Sequence, residues 1–323
     1  MPGRQVAIVS IQDDVHAAAV EQVLRERFGA RGVLVDLASY PALEMSSRIW
    51  PGGTEGLLLE ASPLHFEGFS SVWWRRPSNF TVPEEVTDPK LRRFIVQECW
   101  LTFEGMMHAS GCRVVNTREA ELKAKHKIYQ LALADRCGFR IPDTVVTNSA
   151  EVAKAFVAKH NSKVVFKPQS DAKYHLAETR IWKSEYGLKL DHLRTSPVIF
   201  QEYIPCRSDL RITVIGKKVF CNEIKMKDPD RQVDWRLDLL VEMKPIRPPS
   251  EISSTCQYMM TELGLDYGAF DIRITPGGEA VFFEVNPAGQ FLFCELGNRL
   301  ELTEALCELL LGERESCQTA PCD

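Results

Sequence analysis

The chain has 323 residues, of which 45% are hydrophobic and 26% are charged, a balance typical of folded globular proteins and unlike that of disordered ones. Its length favours two or three domains. The 39 basic and 44 acidic residues give a formal charge of −5, which argues against non-specific nucleic-acid binding as the main function. No apolar run approaches the roughly 18 residues of a membrane span, and the first residues show no signal-peptide pattern. We therefore expect a soluble, cytoplasmic protein that binds neither nucleic acid nor membrane.

Ten cysteines are scattered along the sequence, without a CxxC pair and without the Cys/His spacing of a zinc site. In a chain of this length they predict reduced thiols, several of them small core residues, rather than a disulfide framework. The sequence pairs no particular histidine with any of them, so a cysteine nucleophile has no support.

The first third of the sequence alternates short apolar strands with helical patterns, which is typical of an α/β domain. Strands are expected at 6–9, 33–35, 56–59 and 71–74, and helices at 15–28 and 91–109. These elements predict a first domain at residues 1–115.

The remainder of the sequence becomes progressively richer in strands. Helices are expected at 118–137, 150–160, 253–263 and 301–311, and strands at 164–166, 198–200, 210–215, 218–224, 269–274 and 280–285. The polar residues 313–323 predict a frayed tail.

The segment 268–287 predicts a hairpin that turns at Gly277 and Gly278, since Gly-Gly favours two-residue turns. With that turn, Asp271 lies opposite Glu284, and the side chains alternate between two faces. The apolar face would hold Ile272, Ile274, Val281, Phe283 and Val285, and the polar face Asp271, Arg273, Glu284 and Asn286.

The polar face of this hairpin predicts a metal site. Directly opposite Cβ atoms lie about 4.5–5.5 Å apart, so two carboxylates there repel each other unless a cation lies between them. Two carboxylates and an amide oxygen suit Mg²⁺, which prefers oxygen ligands together with waters and substrate phosphates. The alternative is an exposed hairpin face whose acids pair with Arg273.

Three other features accompany the hairpin. Lys167 ends an apolar strand, and the segment 198–205 is an apolar strand broken by a proline, with a backbone suited to bonding an adenine edge. Asp209 follows Glu202 by seven residues. Taken singly, Lys167 and Glu202 are more typical of solvated surface residues, but the order and spacing of these features together favour a nucleotide site.

In this order the residues resemble those of the ATP-grasp superfamily, in which two α+β lobes hold ATP between them. The resemblance covers residues 116–311. It implies an ATP site formed by Lys127, Lys167, Gln201, Glu202, Tyr203, Ile204, Asp209 and Lys225. In that site the first two lysines reach the phosphates, the segment 202–204 faces the adenine, and Asp209 binds the ribose hydroxyls. The same resemblance assigns Mg²⁺ to Asp271, Glu284 and Asn286, with two ions expected.

A narrower resemblance spans most of the chain and points to the microviridin-type graspetide synthetases. It is based on the segments WWRRP at 73–77, KIYQL at 127–131, IPDT at 141–144, SDLRI at 208–212, DWR at 234–236 and EVNPAGQ at 284–290. Ligases that add glutamate to a ribosomal protein share the ATP site but match WWRRP and DWR less well. One departure is the segment 169–178, which has no glycine where many ATP-grasp enzymes have a glycine-rich phosphate loop.

The resemblance implies a combined α/β and α+β fold. It consists of an N-terminal pre-ATP-grasp α/β domain at 1–115, a central α+β lobe at 116–195, a C-terminal antiparallel-sheet lobe at 196–312 and a flexible tail at 313–323.

The function implied is an ADP-forming ligase that activates Asp or Glu side chains of a ribosomal precursor peptide as acyl phosphates and closes macrolactone or macrolactam rings. Arg211 and Arg236 are the candidates to stabilise the transferring phosphoryl group, with Lys225 a weaker one. Arg75 and Arg76 are candidates to bind an acidic peptide, the alternative being a pair of surface arginines. The partner would be a precursor peptide with a leader sequence, and a homodimer is expected from the family.

Two other functions stay open at this point. One is an ATP-grasp ligase that adds an amino acid or small amine to a protein or peptide. The other is a non-catalytic, ATP-binding regulatory protein, against which the intact acids, asparagine and lysines argue.

Overall fold

The computed structural model describes residues 4–39, 44–59, 64–169, 179–226, 241–296, 298 and 300–312. The chain forms two compact units. The first contains the residues up to 118, together with 290–295 and those from 301 onward, and the second contains 119–289 and 296–300. No helix among the described residues has both the length and the apolar character needed to cross a membrane.

The first unit contains a parallel sheet with helices. Its elements, in chain order, are β1 (Gln5–Val9), α1 (Val15–Phe28), β2 (Arg31–Val35), β3 (Glu44–Trp50), β4 (Gly53–Leu59), β5 (Leu64–His65), β6 (Ser71–Trp74), α2 (Pro89–Ala109) and β7 (Arg113–Val115). The strand order is β2-β1-β6-β7, all parallel, and β3-β4-β5 form a separate antiparallel sheet. The central strand β1 is apolar on both faces, as expected of a buried parallel strand.

The second unit contains two antiparallel sheets. Its elements are α3 (Arg118–Lys125), α4 (Lys127–Arg136), β8 (Thr144–Thr147), α5 (Ala150–Lys159), β9 (Val164–Lys167), β10 (Arg180–Ile181), a 3₁₀ helix (Ser184–Thr195), β11 (Val198–Glu202), β12 (Ser208–Ile215), β13 (Lys218–Lys225), β14 (Glu242–Pro245), α6 (Ser250–Leu263), β15 (Tyr267–Ile274) and β16 (Ala280–Asn286). One sheet has the order β10-β9-β11-β8 and the other β14-β13-β12-β15-β16.

The five-stranded sheet has one apolar and one polar face. Leu210 and Ile212 of β12 and Phe270 of β15 pack in one hydrophobic cluster with Met259 of α6 and Leu133 of α4. Because neighbouring residues of a strand point to opposite faces, the intervening positions of β12 and β15 lie on the other face. That face contains the polar residues described below.

The last two helices belong to the first unit: α7 (Leu292–Glu295) and α8 (Leu302–Leu311). The hydroxyl of Ser71 in β6 donates a hydrogen bond to the carbonyl of Leu310 at 2.7 Å. The domain boundaries expected from the sequence place α8 in the C-terminal lobe instead, and these boundaries stay a prediction.

The fold class expected from the sequence is confirmed, with one correction that affects the site. The single helix expected at 118–137 is wrong, because the chain forms α3 and α4, separated at His126. His126 has extended backbone angles, φ −77° and ψ 96°. Lys127 therefore begins a new helix instead of lying in the middle of a longer one.

Candidate functional site

Four polar residues lie in one row across the polar face of the five-stranded sheet. Strand pairing places Asn222 of β13, Arg211 of β12, Asp271 of β15 and Glu284 of β16 side by side. Directly paired residues in antiparallel strands point to the same face, so their side chains are neighbours. The row therefore brings together residues that are up to 73 positions apart in the sequence (284 − 211).

The prediction that Asp271 lies opposite Glu284 is confirmed, although the predicted two-residue turn is wrong. Residues 275–279 join the two strands, and the N–H of Gly278 donates to the carbonyl of Thr275 at 2.9 Å. Gly278 has φ +86°, a left-handed conformation that glycine adopts without strain. A β-bulge shifts the register between Asp271 and the next residue, which restores the pairing expected from the shorter turn.

The bulge also changes which side chains of β16 face the core. Phe282 pairs with Ile272 and is fully buried in the apolar cluster. Val281 and Phe283 were expected on that apolar face, and this is wrong. Val281 pairs with Arg273, and the guanidinium carbon of Arg273 lies 5.1 Å from the centre of the Phe283 ring. The other three residues predicted for the apolar face are in the core.

Each acid of the row has a basic partner. Nη1 of Arg211 lies 2.9 Å from Oδ1 of Asp271, and Nζ of Lys127 lies 2.5 Å from Oε2 of Glu284. These four side chains are only 7–23% exposed, so the charges are partly shielded from water. Opposite charges at this depth stabilise two adjacent carboxylates that would otherwise repel each other.

The alternative prediction pairs Arg273 with the acids of the hairpin face. In the structure Arg273 binds Asp209. Nε and Nη2 of Arg273 donate to the two oxygens of Asp209 at 2.8 and 2.9 Å. Nη1 donates to the carbonyl of Ile204 at 3.1 Å. Burial opposes the charged form of Arg273, but the hydrogen bonds and charge of Asp209 outweigh it and raise the pKa of the guanidinium. The carboxylate expected at the ribose is thus held in a two-point ion pair, and its ribose role stays a prediction.

The loop after β16 lies against the row. Oδ1 of Asn286 accepts a hydrogen bond from the N–H of Ala288 at 2.9 Å, which forms a tight turn. The hydroxyl of Tyr267 donates to the carbonyl of Gly289 at 2.7 Å. A Cβ at position 289 would lie 2.8 Å from Nη2 of Arg211, so only glycine lets the loop approach that side chain.

The four-stranded sheet holds Lys167 and the segment expected to face adenine. Lys167 ends β9 and pairs with Ile199 of β11. Gln201, one residue before the end of β11, is 3% exposed, and its Nε2 donates to Oγ1 of Thr144 at 3.0 Å. Lys167 and the end of β11 therefore lie on neighbouring strands, with Lys167 beside Ile199 and Glu202 beside Val164, and a common site stays a prediction.

Backbone hydrogen bonds fix the chain where it leaves β11. The N–H of Glu202 donates to the carbonyl of Asp143 at 3.0 Å, and the N–H of Tyr203 donates to the carbonyl of Lys163 at 2.9 Å. The carboxylate of Glu202 lies 3.4 Å from Nη2 of Arg140. This segment is thus anchored on both sides, which would preorganise it for a flat ligand.

Two of the sequence-based candidates lie outside the row. Lys225 ends β13, with its ammonium half exposed and 3.4 Å from the carboxylate of Glu223. Arg236 lies in the segment 227–240, which with 170–178 is outside the described residues, and its role stays a prediction.

Arg75 and Arg76 lie in the first unit, where β6 ends. Arg75 is 2% exposed, and its Nε donates to Oδ2 of Asp14 at 3.1 Å. The expectation of two exposed guanidinium groups therefore holds only for Arg76. Peptide binding by this pair stays a prediction.

Comparison with known proteins gives a consistent result over nearly the whole chain. No protein-family model matches, and no curated protein does. Among solved structures, the RiPP-associated ATP-grasp ligase of Chryseobacterium gregarium, in complex with ADP and a leader and core peptide, is 27% identical with a TM-score of 0.87, covering 96% of this chain and 97% of that chain. The chain has the ATP-grasp fold.

Two further ATP-grasp structures agree. The macrocyclase MdnC from Microcystis aeruginosa MRC, bound with the precursor peptide MdnA, is 26% identical with a TM-score of 0.84, covering 96% of this chain and 99% of that chain. The ligase PsnB, complexed with a precursor variant, Mg and ADP, is 22% identical with a TM-score of 0.74 over 96% of this chain and 98% of that chain, and this supports the fold alone. The resemblance to graspetide synthetases expected from the sequence is confirmed.

The chemistry of this ATP-grasp site fits magnesium. Asp271 and Glu284 are paired residues, and Asn286 lies two positions beyond Glu284 on the same strand, so the donors are hard oxygens. Among the described residues no group of three or more His, Cys, Asp or Glu side chains could hold a metal alone. Two carboxylates with an amide suit Mg²⁺, because it keeps waters and takes substrate phosphates as its remaining ligands.

Sequence reasoning missed two polar residues of this ATP-grasp site. Asn222 is 1% exposed and lies in the row beside Arg211. Gln130 is 4% exposed on α4 and bonds the backbone of β16. For Gln130 the sequence offers its place in the KIYQL segment, as a polar residue three positions after Lys127, whereas Asn222 has no signal beyond its place in a strand.

Proposed function

We propose that this ATP-grasp protein is an ADP-forming ligase that closes side-chain rings in a ribosomal precursor peptide. The single observation that supports this most is the match to the Chryseobacterium gregarium ligase and to MdnC over 96% of the chain, which includes the N-terminal unit as well as the ATP-grasp lobes. Both of those proteins hold a peptide, and one of them also holds ADP.

The first chemical step would be activation of a peptide carboxylate. An oxygen of an Asp or Glu side chain attacks the γ-phosphorus of ATP, the bond to the ADP oxygen breaks, and ADP and an acyl phosphate result. Lys127 and Lys167 would bind the phosphates, and Arg211 would stabilise the transferring phosphoryl group, because its planar fork matches phosphate geometry. The protein's contribution is positioning and charge neutralisation.

The second step would close the ring. A Ser or Thr hydroxyl or a Lys amine of the same peptide attacks the acyl carbon, phosphate leaves with the bonding electrons, and the nucleophile loses its proton. Whether an ester or an amide forms depends on the peptide. Arg211, Arg236 and Lys225 remain the proposed partners of the phosphoryl group.

Magnesium would be held by Asp271, Glu284 and Asn286. When bound there, it would neutralise phosphate charge and orient the oxygens of ATP. The two acids are already bonded to Arg211 and Lys127, so we propose that these cations keep the site ordered until nucleotide arrives. Two ions are proposed, as expected from the resemblance.

The proposed partner is a precursor peptide with a leader sequence. Arg76, exposed after β6, is proposed to contact an acidic stretch of that peptide. A homodimer and a cytoplasmic location are also proposed, both from the sequence-based expectation.

Mass spectrometry tests this function. The protein is incubated with Mg²⁺, ATP and a candidate precursor peptide encoded beside its gene, and we expect the peptide to lose one water per ring while one ADP forms per ring. Asp271→Asn should lower the rate by about 10³-fold, since it replaces a charged carboxylate ligand with a neutral amide and so weakens the hold on the metal that acts on transition-state charge. Asp135→Asn, an exposed acid on α4, is the matched control and should leave the rate unchanged. Addition of an amino-acid mass would instead support the other ligase reaction, and an Asp271→Asn enzyme of normal rate would contradict the metal assignment.

A further inference from the structure

Gln130 joins α4 to the edge strand β16 through its side-chain amide. Its Oε1 accepts from the N–H of Val285 at 2.9 Å, and its Nε2 donates to the carbonyl of the same residue at 2.9 Å. The amide therefore pairs with Val285 as a neighbouring strand would. Nε2 also donates to the carbonyl of Ala124, in the last turn of α3. The buried side chain of Gln130 thus links the end of α3 and the start of α4 to β16.

Lys127, three residues before Gln130 on α4, contacts the same strand. Residues three apart on a helix share a face, so Gln130 and Lys127 both face β16. Val285 follows Glu284 directly, and Nζ of Lys127 lies 2.5 Å from Oε2 of Glu284. The amide and the ammonium therefore contact adjacent residues of one strand.

We infer that Gln130 is a positioning residue, which fixes α4 on β16 so that Lys127 stays beside Glu284. This inference deepens the proposed function, since it rests on Lys127 as a phosphate-binding residue. It explains why a buried amide is used at this position. The Val285 backbone groups at the sheet edge need polar partners, and an apolar residue would leave them without these hydrogen bonds.

A merely structural role for Gln130 makes a different prediction. In that case its removal lowers stability and leaves nucleotide binding to the folded protein unchanged. If Gln130 acts through Lys127, the two residues are coupled, and removing the second has little further effect once the first is gone.

A double-mutant cycle with Mg·ADP as the probe tests the inference. Binding is measured by calorimetry for the full chain and for Gln130→Met, Lys127→Met and the double variant. We expect Gln130→Met to weaken Mg·ADP binding about 10-fold, and the double variant to bind within about twofold of Lys127→Met. Gln257→Met is the matched control, because Nε2 of Gln257 on α6 also donates to a backbone carbonyl, that of Lys217 at 2.8 Å, in an exposed hydrogen bond. It should bind as the wild type does.

The same four proteins are unfolded in urea, which gives a readout independent of nucleotide. We expect the effects of the two single changes on the free energy of unfolding to be non-additive, by an amount equal to about a fivefold change in the unfolding equilibrium constant. The reason is that loss of Gln130 already loosens the Lys127–Glu284 pair. Additive effects in both measurements, or normal Mg·ADP binding by Gln130→Met, would overturn the inference. A wild-type protein that does not bind Mg·ADP would overturn the proposed function, while the urea cycle would still decide the positioning role. If Gln130→Met does not fold, Gln130→Asn, which keeps a shortened amide, takes its place.

Discussion

Arg273 holds Asp209 at two points, with both side chains less than 10% exposed. The same guanidinium donates to the carbonyl of Ile204, the last residue of the segment 202–204 that is expected to face adenine. The pair therefore ties β12 and β15 to the chain that leaves β11. Because both oxygens of Asp209 accept hydrogen bonds from Arg273, the main role of Asp209 in this structure is to hold Arg273 in place.

Breaking this pair should strongly destabilise the fold. Arg273→Met leaves the Asp209 carboxylate buried without its guanidinium and should lower the free energy of unfolding by about 3–5 kcal/mol. Replacing both residues, as in Asp209→Leu with Arg273→Met, should cost less than the single change, because no charge is left buried. Urea denaturation measures both effects.

The control for this pair is Arg140→Met, which breaks solvent-accessible contacts with Glu279 and Glu202 and should cost less than about 1 kcal/mol. If Asp209→Asn keeps full stability but lowers nucleotide affinity, Asp209 is a ribose ligand and the anchoring interpretation is wrong.

Elements with a clear apolar period could be predicted from the sequence. α1 and β6 have the predicted bounds, since both are buried against the core of the first unit on a regular pattern. β3 and β14 were missed, because most of their residues are exposed and their positions depend on pairing with β4 and β13. An edge strand of this kind has no alternation for a pattern to detect.

In the candidate site, too, local features could be predicted from the sequence and distant contacts could not. The pairing of Asp271 with Glu284 follows from a hairpin, a local feature. The cations at these acids come from far along the chain, Arg211 being 60 positions from Asp271 and Lys127 157 positions from Glu284. Such contacts depend on tertiary packing, which periodicity does not encode, and only the family resemblance indicated that these residues belong together.

Acid should destabilise the first unit through Asp14. Burial alone would raise the pKa of this carboxyl, but hydrogen bonds from His16 and Ser10 and the charge of Arg75 together hold its pKa well below the ordinary value. A depressed folded pKa gives stability that is full above the unfolded pKa of about 3.9 and is lost as pH falls below it. Asp14→Asn should therefore cost about 3 kcal/mol at pH 7 and show a shallower loss of stability below about pH 4.

Urea unfolding across pH measures this dependence. Asp143→Asn is the control, because Asp143 is 40% exposed and its pKa is lowered chiefly by a hydrogen bond from Lys159. It should cost less than about 1 kcal/mol. Equal acid sensitivity of wild type and Asp14→Asn would show that the buried pair does not control the acid transition.

Lys127 should compete with magnesium for the carboxylates of Asp271 and Glu284. Lys127→Met removes one of the cations bonded to Asp271 and Glu284, so the row becomes more negative and attracts a divalent cation more strongly. Millimolar Mg²⁺ without nucleotide should then stabilise this variant by about 1 kcal/mol more than the wild type. Thermal unfolding with and without Mg²⁺ measures the difference. The control is Lys154→Met, which replaces an exposed lysine on α5 and should respond as the wild type does. If Lys127→Met also responds as the wild type does, Lys127 does not compete with magnesium.

Gly289 should tolerate no side chain. A Cβ there would lie 2.5 Å from Cβ of Ala269 and 2.8 Å from Nη2 of Arg211, so Gly289→Ala must displace the loop, the arginine or both. We expect a loss of about 1–3 kcal/mol in the free energy of unfolding, because close-packed sites do not accommodate an added methyl group. We also expect a lower ring-closure rate, since Arg211 would leave its position at Asp271. Gly187→Ala, which has no atom within 4 Å of the added Cβ, should change neither quantity. A Gly289→Ala protein with wild-type stability and wild-type rate would show that the loop does not hold Arg211 in place.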